Sequence, residues 1–180
     1  MTNQGYFSNI NAIVETSNFS VFVPRCPHVD RNDGGHICIA TNKNDKYTIF
    51  DLNEEELFEL SILTKEAGKA LFDVTNERGI DVKLINYQIN GNWSFGTKER
   101  APLHVHLYGR AASSRIQTFG QSLYFPEKKS NANFYENNEP FNKDDLLMMR
   151  TRISENIKQY SQICVKLNIK NMTTCDLPSA

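Results

Sequence analysis

The sequence has little that would staple, anchor or polarise it. Its four cysteines, Cys26, Cys38, Cys164 and Cys175, stand far apart with no Cys-x-x-Cys pair. That spacing argues against a disulfide framework and predicts a reduced, cytoplasmic chain. Long hydrophobic runs are missing: no stretch approaches the roughly 20 apolar residues needed to span a bilayer. The polar start, MTNQGYFSNINAIVETSN, lacks the basic region and apolar core of a signal peptide. Neither sign of charge dominates, since 20 Lys+Arg face 21 Asp+Glu for a net charge of −1. A surface built to coat DNA or another polyanion is therefore not expected, and neither a nucleic-acid nor a membrane partner is. There is no internal repeat, heptad run or low-complexity tract, which removes solenoids and coiled coils. What remains is ordinary for a soluble globular domain: 180 residues, 39% hydrophobic and 23% charged. A chain of that length buries about two-thirds of its unfolded surface and needs no staple.

Strand and helix patterns are legible. Ser20 to Val23 (SVFV) reads as a short strand ended by Pro24, and His36 to Thr41 (HICIAT) as a second after the turn-rich Asp30 to Gly35. Asn53, followed by Glu54, Glu55 and Glu56, is a helix N-cap with an acidic first turn. Leu57, Leu60, Thr64, Ala67, Leu71 and Val74 recur at three and four residues, predicting one apolar stripe on a helix that Gly79 ends. Val82 to Ile89 alternates as a half-buried strand does, and Pro102 to Tyr108 (PLHVHLY) is another strand. Ala111 to Asn142 is loop-like, and a last helix opens at Asn142 with Leu146, Met149, Ile153 and Ile157 along one side. Two pairs of consecutive strands without crossover helices predict an antiparallel α+β fold. Residues 1–16 read as an N-terminal arm, 17–110 as the core, and 111–180 as an irregular extension with one helix packed on that core.

The chemistry centres on His104-Val105-His106. Residues two apart on a strand share a face, so both imidazoles stand together while Val105 and Leu107 turn to the core. Imidazole suits attack on phosphorus because its nitrogen is basic near neutral pH and leaves well once protonated. His-x-His on a strand is equally half of a zinc site, or a surface feature. No third and fourth ligands stand at recognisable spacing nearby, so no metal site is assigned.

Context separates these readings. The run PLHVHLYGR resembles the signature of the histidine-triad (HIT) superfamily, His-φ-His-φ-His-φ-φ with φ apolar, followed closely by Gly or Pro and Arg. Upstream, Phe22 and the run Gly35-His36-Ile37-Cys38-Ile39 resemble the family's first strands. Ile49-Phe50-Asp51-Leu52 leads into an acidic helix start, and Asn90-Gly91 ends the following strand, both as in that family. Two registers fit the triad. Matching Gly109-Arg110 to the trailing Gly-Arg makes His104 the middle histidine and His106 the third, with Pro102 in place of the first. Sliding by two makes His106 the middle one and Tyr108 the replaced third. The first register keeps the Gly-Arg without a gap and is preferred. The resemblance then implies that His104 accepts a nucleotidyl group and that His106 binds phosphate and orients it. It implies an enzyme acting at the α-phosphate of a dinucleoside polyphosphate or nucleoside phosphoramidate. No cofactor is required, Mg²⁺ being reserved for a polyphosphate substrate. It also implies a homodimer paired through the long helix and the next strand, where Phe58, Ile62 and Phe72 lie outside the main stripe. Loss of the first histidine leaves open a non-catalytic nucleotide- or partner-binding module.

Other candidates are secondary. Asn90, Asn92 and Ser94 in NGNWSF offer amides and a hydroxyl to phosphate or ribose oxygens, or simply make a polar turn. Arg110 offers a bidentate guanidinium to a distal phosphate. Phe22 and Ile39 would wall a base pocket. His36 reads as a structural residue satisfied by backbone, and His28 beside Pro27 as a surface loop residue. Tyr124-Phe125-Pro126 and Phe134-Tyr135 would either cover the site or, the preferred reading, pack the last helix onto the sheet.

Overall fold

The computed structural model describes residues 11–91, 94 and 100–160. Five strands, β1 (Asn11–Glu15), β2 (Phe19–Val23), β3 (His36–Thr41), β4 (Val82–Gln88) and β5 (His104–Ala111), form one antiparallel sheet in the order β1-β2-β3-β5-β4. Among the described residues three α-helices accompany it: α1 (Glu54–Glu77), the short α2 (Ala132–Glu136) and α3 (Lys143–Lys158). Among the described residues, no helix is long and apolar enough to cross a membrane.

The sheet has a core face and a histidine face. On the core face, Phe19, Val21, Ile37, Ile39, Val105 and Leu107 join Leu60, Leu63, Ala67, Leu71 and Val74 of α1 and Met149, Ile153 and Ile157 of α3. Helix α1 starts where predicted: the Asn53 side chain accepts the Glu56 N–H, and the Glu56 carboxylate accepts the Asn53 N–H in return. Its buried surface is wider than one stripe and is rotated from the predicted one. Leu57 is exposed and Ile62 is buried, because α3 packs along a second side of α1. Phe58 likewise packs partly buried against the core. That leaves Phe72, alone of the three residues offered to a partner, substantially exposed.

Two further differences follow from pairing. Residues 11–15, read as part of an arm, form edge strand β1 against β2, with a register irregularity between Ala12 and Val14. Five residues interrupted in this way carry too weak an alternation to stand out in sequence. Strand β5 also begins later and runs through Gly109 and Arg110 to Ala111, because β3 and β4 pair with it from both sides.

Gly109 is needed where β5 passes the turn before β3. A Cβ there would lie 2.0 Å from the Gly34 carbonyl oxygen, and one on Gly34, at φ 123°, would lie 2.3 Å from the Gly109 oxygen. Backbone meets backbone, so no rotamer change relieves the clash. Gly109→Ala is expected to lose roughly 1–3 kcal/mol in urea unfolding, as overpacked sites do. An unchanged midpoint would show that the two segments part freely.

Candidate active site

The histidine face is built by register. Cys38 pairs with His106, Ala40 with His104, and His36 with Tyr108, so His36, Cys38, His104, His106 and Tyr108 all project from one side. Phe22, opposite Cys38 on the other neighbour, joins them in a small apolar cluster with Cys38 and Ala40. Ile39 does not: it is fully buried in the core on the opposite face, as alternation requires for a residue next to Cys38. Its assignment to a base pocket is corrected.

His104 is half-buried, and its Nδ1–H donates to the Pro102 carbonyl at 2.7 Å. A carbonyl only accepts, so Nδ1 carries the proton and Nε2 is the unprotonated nitrogen. The perpendicular ring of His106 lies 4.7 Å from it, centroid to centroid. Behind His106, Nδ1 meets His36 Nε2 at 2.9 Å, and the Cys38 sulfur is 3.2 Å from both nitrogens. On its other nitrogen, His36 Nδ1 accepts the backbone N–H of His28 at 3.1 Å.

His28 is no surface-loop residue. Its ring centroid lies 4.7 Å from that of His36 and 5.3 Å from that of His106, and its Nδ1 is 2.9 Å from the Tyr108 hydroxyl. Nothing local in Pro27-His28 announces this, because the loop is drawn onto the sheet by distant partners. The Asn138 amide donates to the Pro27 carbonyl, and the Arg31 N–H donates to the Glu139 carbonyl. The aromatic clusters are corrected in the same way. Phe125 lies 5.4 Å from His28 and 5.2 Å from Tyr108, and Tyr135 lies 5.5 Å from His28. They roof the histidine face instead of packing α3.

The remaining candidates divide. Asn90 donates to the Gln88 side chain, and Gln88 lies opposite His106 on β4. The buried Ser94 hydroxyl donates to the Gly91 carbonyl within a turn. Asn92 and Trp93 lie outside the described residues. Arg110 is on the histidine face but buried, donating to the Thr118 and Gln121 carbonyls. It braces the loop after β5, so the expected contact with a distal phosphate is not offered in this arrangement. Burial, unrelieved by a carboxylate, lowers its pKa.

Burial also sets the charge state of the imidazoles. It lowers His28 to about 4, aided by the nearby charges of Lys128 and His104. It lowers His106 to about 2, aided by His104 and His28, and takes His36 well down. For His104 burial again lowers the pKa, against the opposing pull of the Pro102 carbonyl. All four rings are thus held neutral at pH 7. Because the unfolded chain binds protons below about 6.5 and these folded histidines do not, their neutrality destabilises the fold as pH falls. Urea midpoints are expected to drop from about pH 6.5 towards 4, where His28 titrates. A flat profile until the carboxylates titrate would contradict the burial of this cluster.

His28, His36 and His106 bring ligand atoms within 4.8 Å of one another. They do not fit a metal as they stand. A histidine that ligates through one nitrogen donates the hydrogen on the other. His36 does the reverse, accepting a backbone N–H at Nδ1, which leaves its proton on Nε2, the nitrogen aimed at His106.

An antiparallel sheet with a long helix on one face and paired histidines on an interior strand of the other is the histidine-triad fold, and this chain has it. The sequence matches no family model and no curated protein. Among solved structures, it is similar to a histidine triad (HIT) protein from Sinorhizobium meliloti, 18% identical with a TM-score of 0.54, over 82% of this chain and 90% of that one. A histidine triad protein from Marinobacter aquaeolei is 10% identical, also at 0.54, over 84% and 90%. A Zn-bound histidine triad family protein from Mycobacterium smegmatis is 18% identical at 0.50, over 82% and 88%. At these identities the likeness is one of fold.

Proposed function

We propose that this chain is a nucleotide hydrolase or nucleotidyl transferase that cleaves at the α-phosphate of a dinucleoside polyphosphate or nucleoside phosphoramidate. The observation that carries this reading is the hydrogen bond from His104 Nδ1 to the Pro102 carbonyl, which leaves Nε2 as the unprotonated nitrogen of a half-buried ring on the histidine face. It also answers the loss of the first triad histidine. The orienting acceptor is a backbone carbonyl, which Pro supplies as well as any residue.

In the reaction, His104 Nε2 attacks phosphorus in line. The bond to the leaving oxygen or nitrogen breaks with its electron pair, and the leaving group gains a proton. Water or an acceptor hydroxyl then displaces the imidazole, giving the nucleotide product and free His104. Positioning and donation of hydrogen bonds to the phosphoryl oxygens supply most of the acceleration. No step requires a metal, and Mg²⁺ would serve only a polyphosphate substrate. Phe22, on β2 beyond β3, flanks the base or ribose, and the Asn90, Asn92 and Ser94 loop contacts polar groups of the nucleotide. Two copies pair through α1 and edge strand β4, where Phe72 and Tyr87 remain exposed. Sedimentation of a single 20.6 kDa species at micromolar concentration would sink the pairing.

A panel of adenosine and guanosine phosphoramidates and dinucleoside polyphosphates, read by chromatography, tests the reading. Release of nucleoside monophosphate from either class is expected. Tight nucleotide binding with no product from any member would establish the non-catalytic binding module instead.

A further inference from the structure

We propose that Lys128 is a specificity-determining residue, set in the roof to receive phosphates beyond the one attacked, so that the site selects a nucleoside polyphosphate over a nucleoside phosphoramidate. The inference rests on the nucleotidyl-transfer reading of the same face. The side chains gathered there, His28, His36, Cys38, His104, His106 and Tyr108, are neutral at pH 7, because burial lowers the imidazoles and raises the thiol and the phenol. Neutral donors orient a phosphate but leave the further charges of a polyphosphate uncompensated. Arg110 is committed to the Thr118 and Gln121 carbonyls. Lys128 brings a cation from the roof. Its ammonium lies 6.0 Å from the centroid of the Tyr135 ring, within reach of a cation–π contact, and that ring lies 5.5 Å from His28. The field of Lys128 reaches His28, where it adds to burial in keeping the ring neutral.

The turn that presents Lys128 is fixed by its own bonds. The Tyr135 hydroxyl donates to the Pro126 carbonyl at 2.6 Å, and the Asn131 amide to the Glu127 carbonyl at 3.0 Å. The adjacent Glu127 carboxylate accepts the Ser130 hydroxyl at 2.7 Å, while Lys128 itself is exposed. Phe125 and Tyr135 set this roof over His28 and Tyr108. Tyr108 stands roughly 13 Å along β5 from His104, which gives a phosphate chain leaving in line from His104 the length in which to meet Lys128. A phosphoramidate has a single phosphorus, so none of its charge lies beyond the attack.

The test compares kcat/KM for diadenosine tetraphosphate and adenosine 5′-phosphoramidate at pH 7 in the full chain and its variants. Wild type should favour the tetraphosphate. Lys128→Met should lose about fivefold to tenfold on the tetraphosphate, as a solvent-screened charge contact does, and change by less than about twofold on the phosphoramidate. Lys128→Arg should restore the tetraphosphate rate. Lys129→Met, which removes the same charge from the exposed neighbour, should leave both rates as they are. Equal losses on the two substrates, no loss on either, or a wild type that prefers the phosphoramidate would overturn the proposal. The same loss in Lys129→Met would also overturn it, because net charge would then be the cause. If wild type turns over neither substrate, the nucleotidyl-transfer reading fails by itself, and titration with ATP and AMP decides the role of Lys128. Wild type should bind ATP about fivefold or more tighter than AMP, and Lys128→Met should erase that difference. An ATP-to-AMP ratio unchanged by the substitution, or binding of neither nucleotide, would overturn the proposal.

Discussion

His104→Ala is expected to abolish nucleotide turnover while leaving the fold and most of the nucleotide affinity in place. The loss should reach several orders of magnitude, each tenfold being about 1.4 kcal/mol of barrier, because the group removed forms the bond to phosphorus. Folding should survive because His104 is half-buried, on the face away from the core, and its ring makes its bond to the Pro102 carbonyl at the end of the strand. Rapid acid-free quenching of wild type with labelled substrate should trap a protein-bound nucleotide that acid releases, as a phosphorus–nitrogen bond to imidazole would. His104→Ala should trap none. His106→Ala should be milder, since donation to a phosphoryl oxygen costs less to lose than the attacking atom. An adduct that persists in His104→Ala and disappears in His106→Ala would transfer the nucleophile to His106 and favour the register shifted by two.

Legibility in the sequence followed the range of the interactions. Helix α1 was readable to the residue at its start because Asn53 and Glu56 cap each other within one turn. The alternation of His104, Val105, His106 and Leu107 gave both the strand and its two faces. The same rule, carried across to β3, would have turned Ile39 inwards: Ile37 and Ile39 face the core exactly where Cys38 and His36 do not. What stayed hidden depends on contacts far apart in the chain. His28 reaches the site because its loop is tied to residues 138 and 139. Arg110 left no sign in sequence that the loop at 118–121 would enclose it. The exposure of Leu57 could not be foreseen without knowing that α3 lies along α1 and shifts its buried surface. Such cases show why the His104–His106 pair was legible in sequence and the residues around it were not.

The largest stability effect is expected at Asp145, which is fully buried on α3 and joins three parts of the chain. Its carboxylate accepts from Arg31 Nε at 2.6 Å and Nη2 at 3.2 Å, from Arg78 Nε at 2.9 Å, and from the Asn142 N–H at 3.2 Å. Arg31 belongs to the loop that carries His28, Arg78 ends α1, and Asn142 caps α3. Burial opposes the charge of Asp145, but the hydrogen bond and charge of Arg31, the Asn142 N–H and the charge of Arg78 outweigh it and keep its pKa below the usual value. Asp145→Ala removes the acceptor common to two guanidiniums and one half of the α3 cap. Breaking a buried pair of this kind costs roughly 3–5 kcal/mol, so a large fall in the urea midpoint at pH 7 is expected. Asp145→Asn keeps the shape and should lose less. The sign of the pH dependence follows from the lowered pKa. The carboxylate contributes fully above its unfolded value of about 3.9, and that contribution is lost as pH falls through the lower folded value. Wild type and Asp145→Asn should therefore differ most near neutrality and converge in strong acid. A loss below about 1 kcal/mol for Asp145→Ala at pH 7 would mean that solvent or another carboxylate takes over both arginines, and that the loop carrying His28 is held in place by something else.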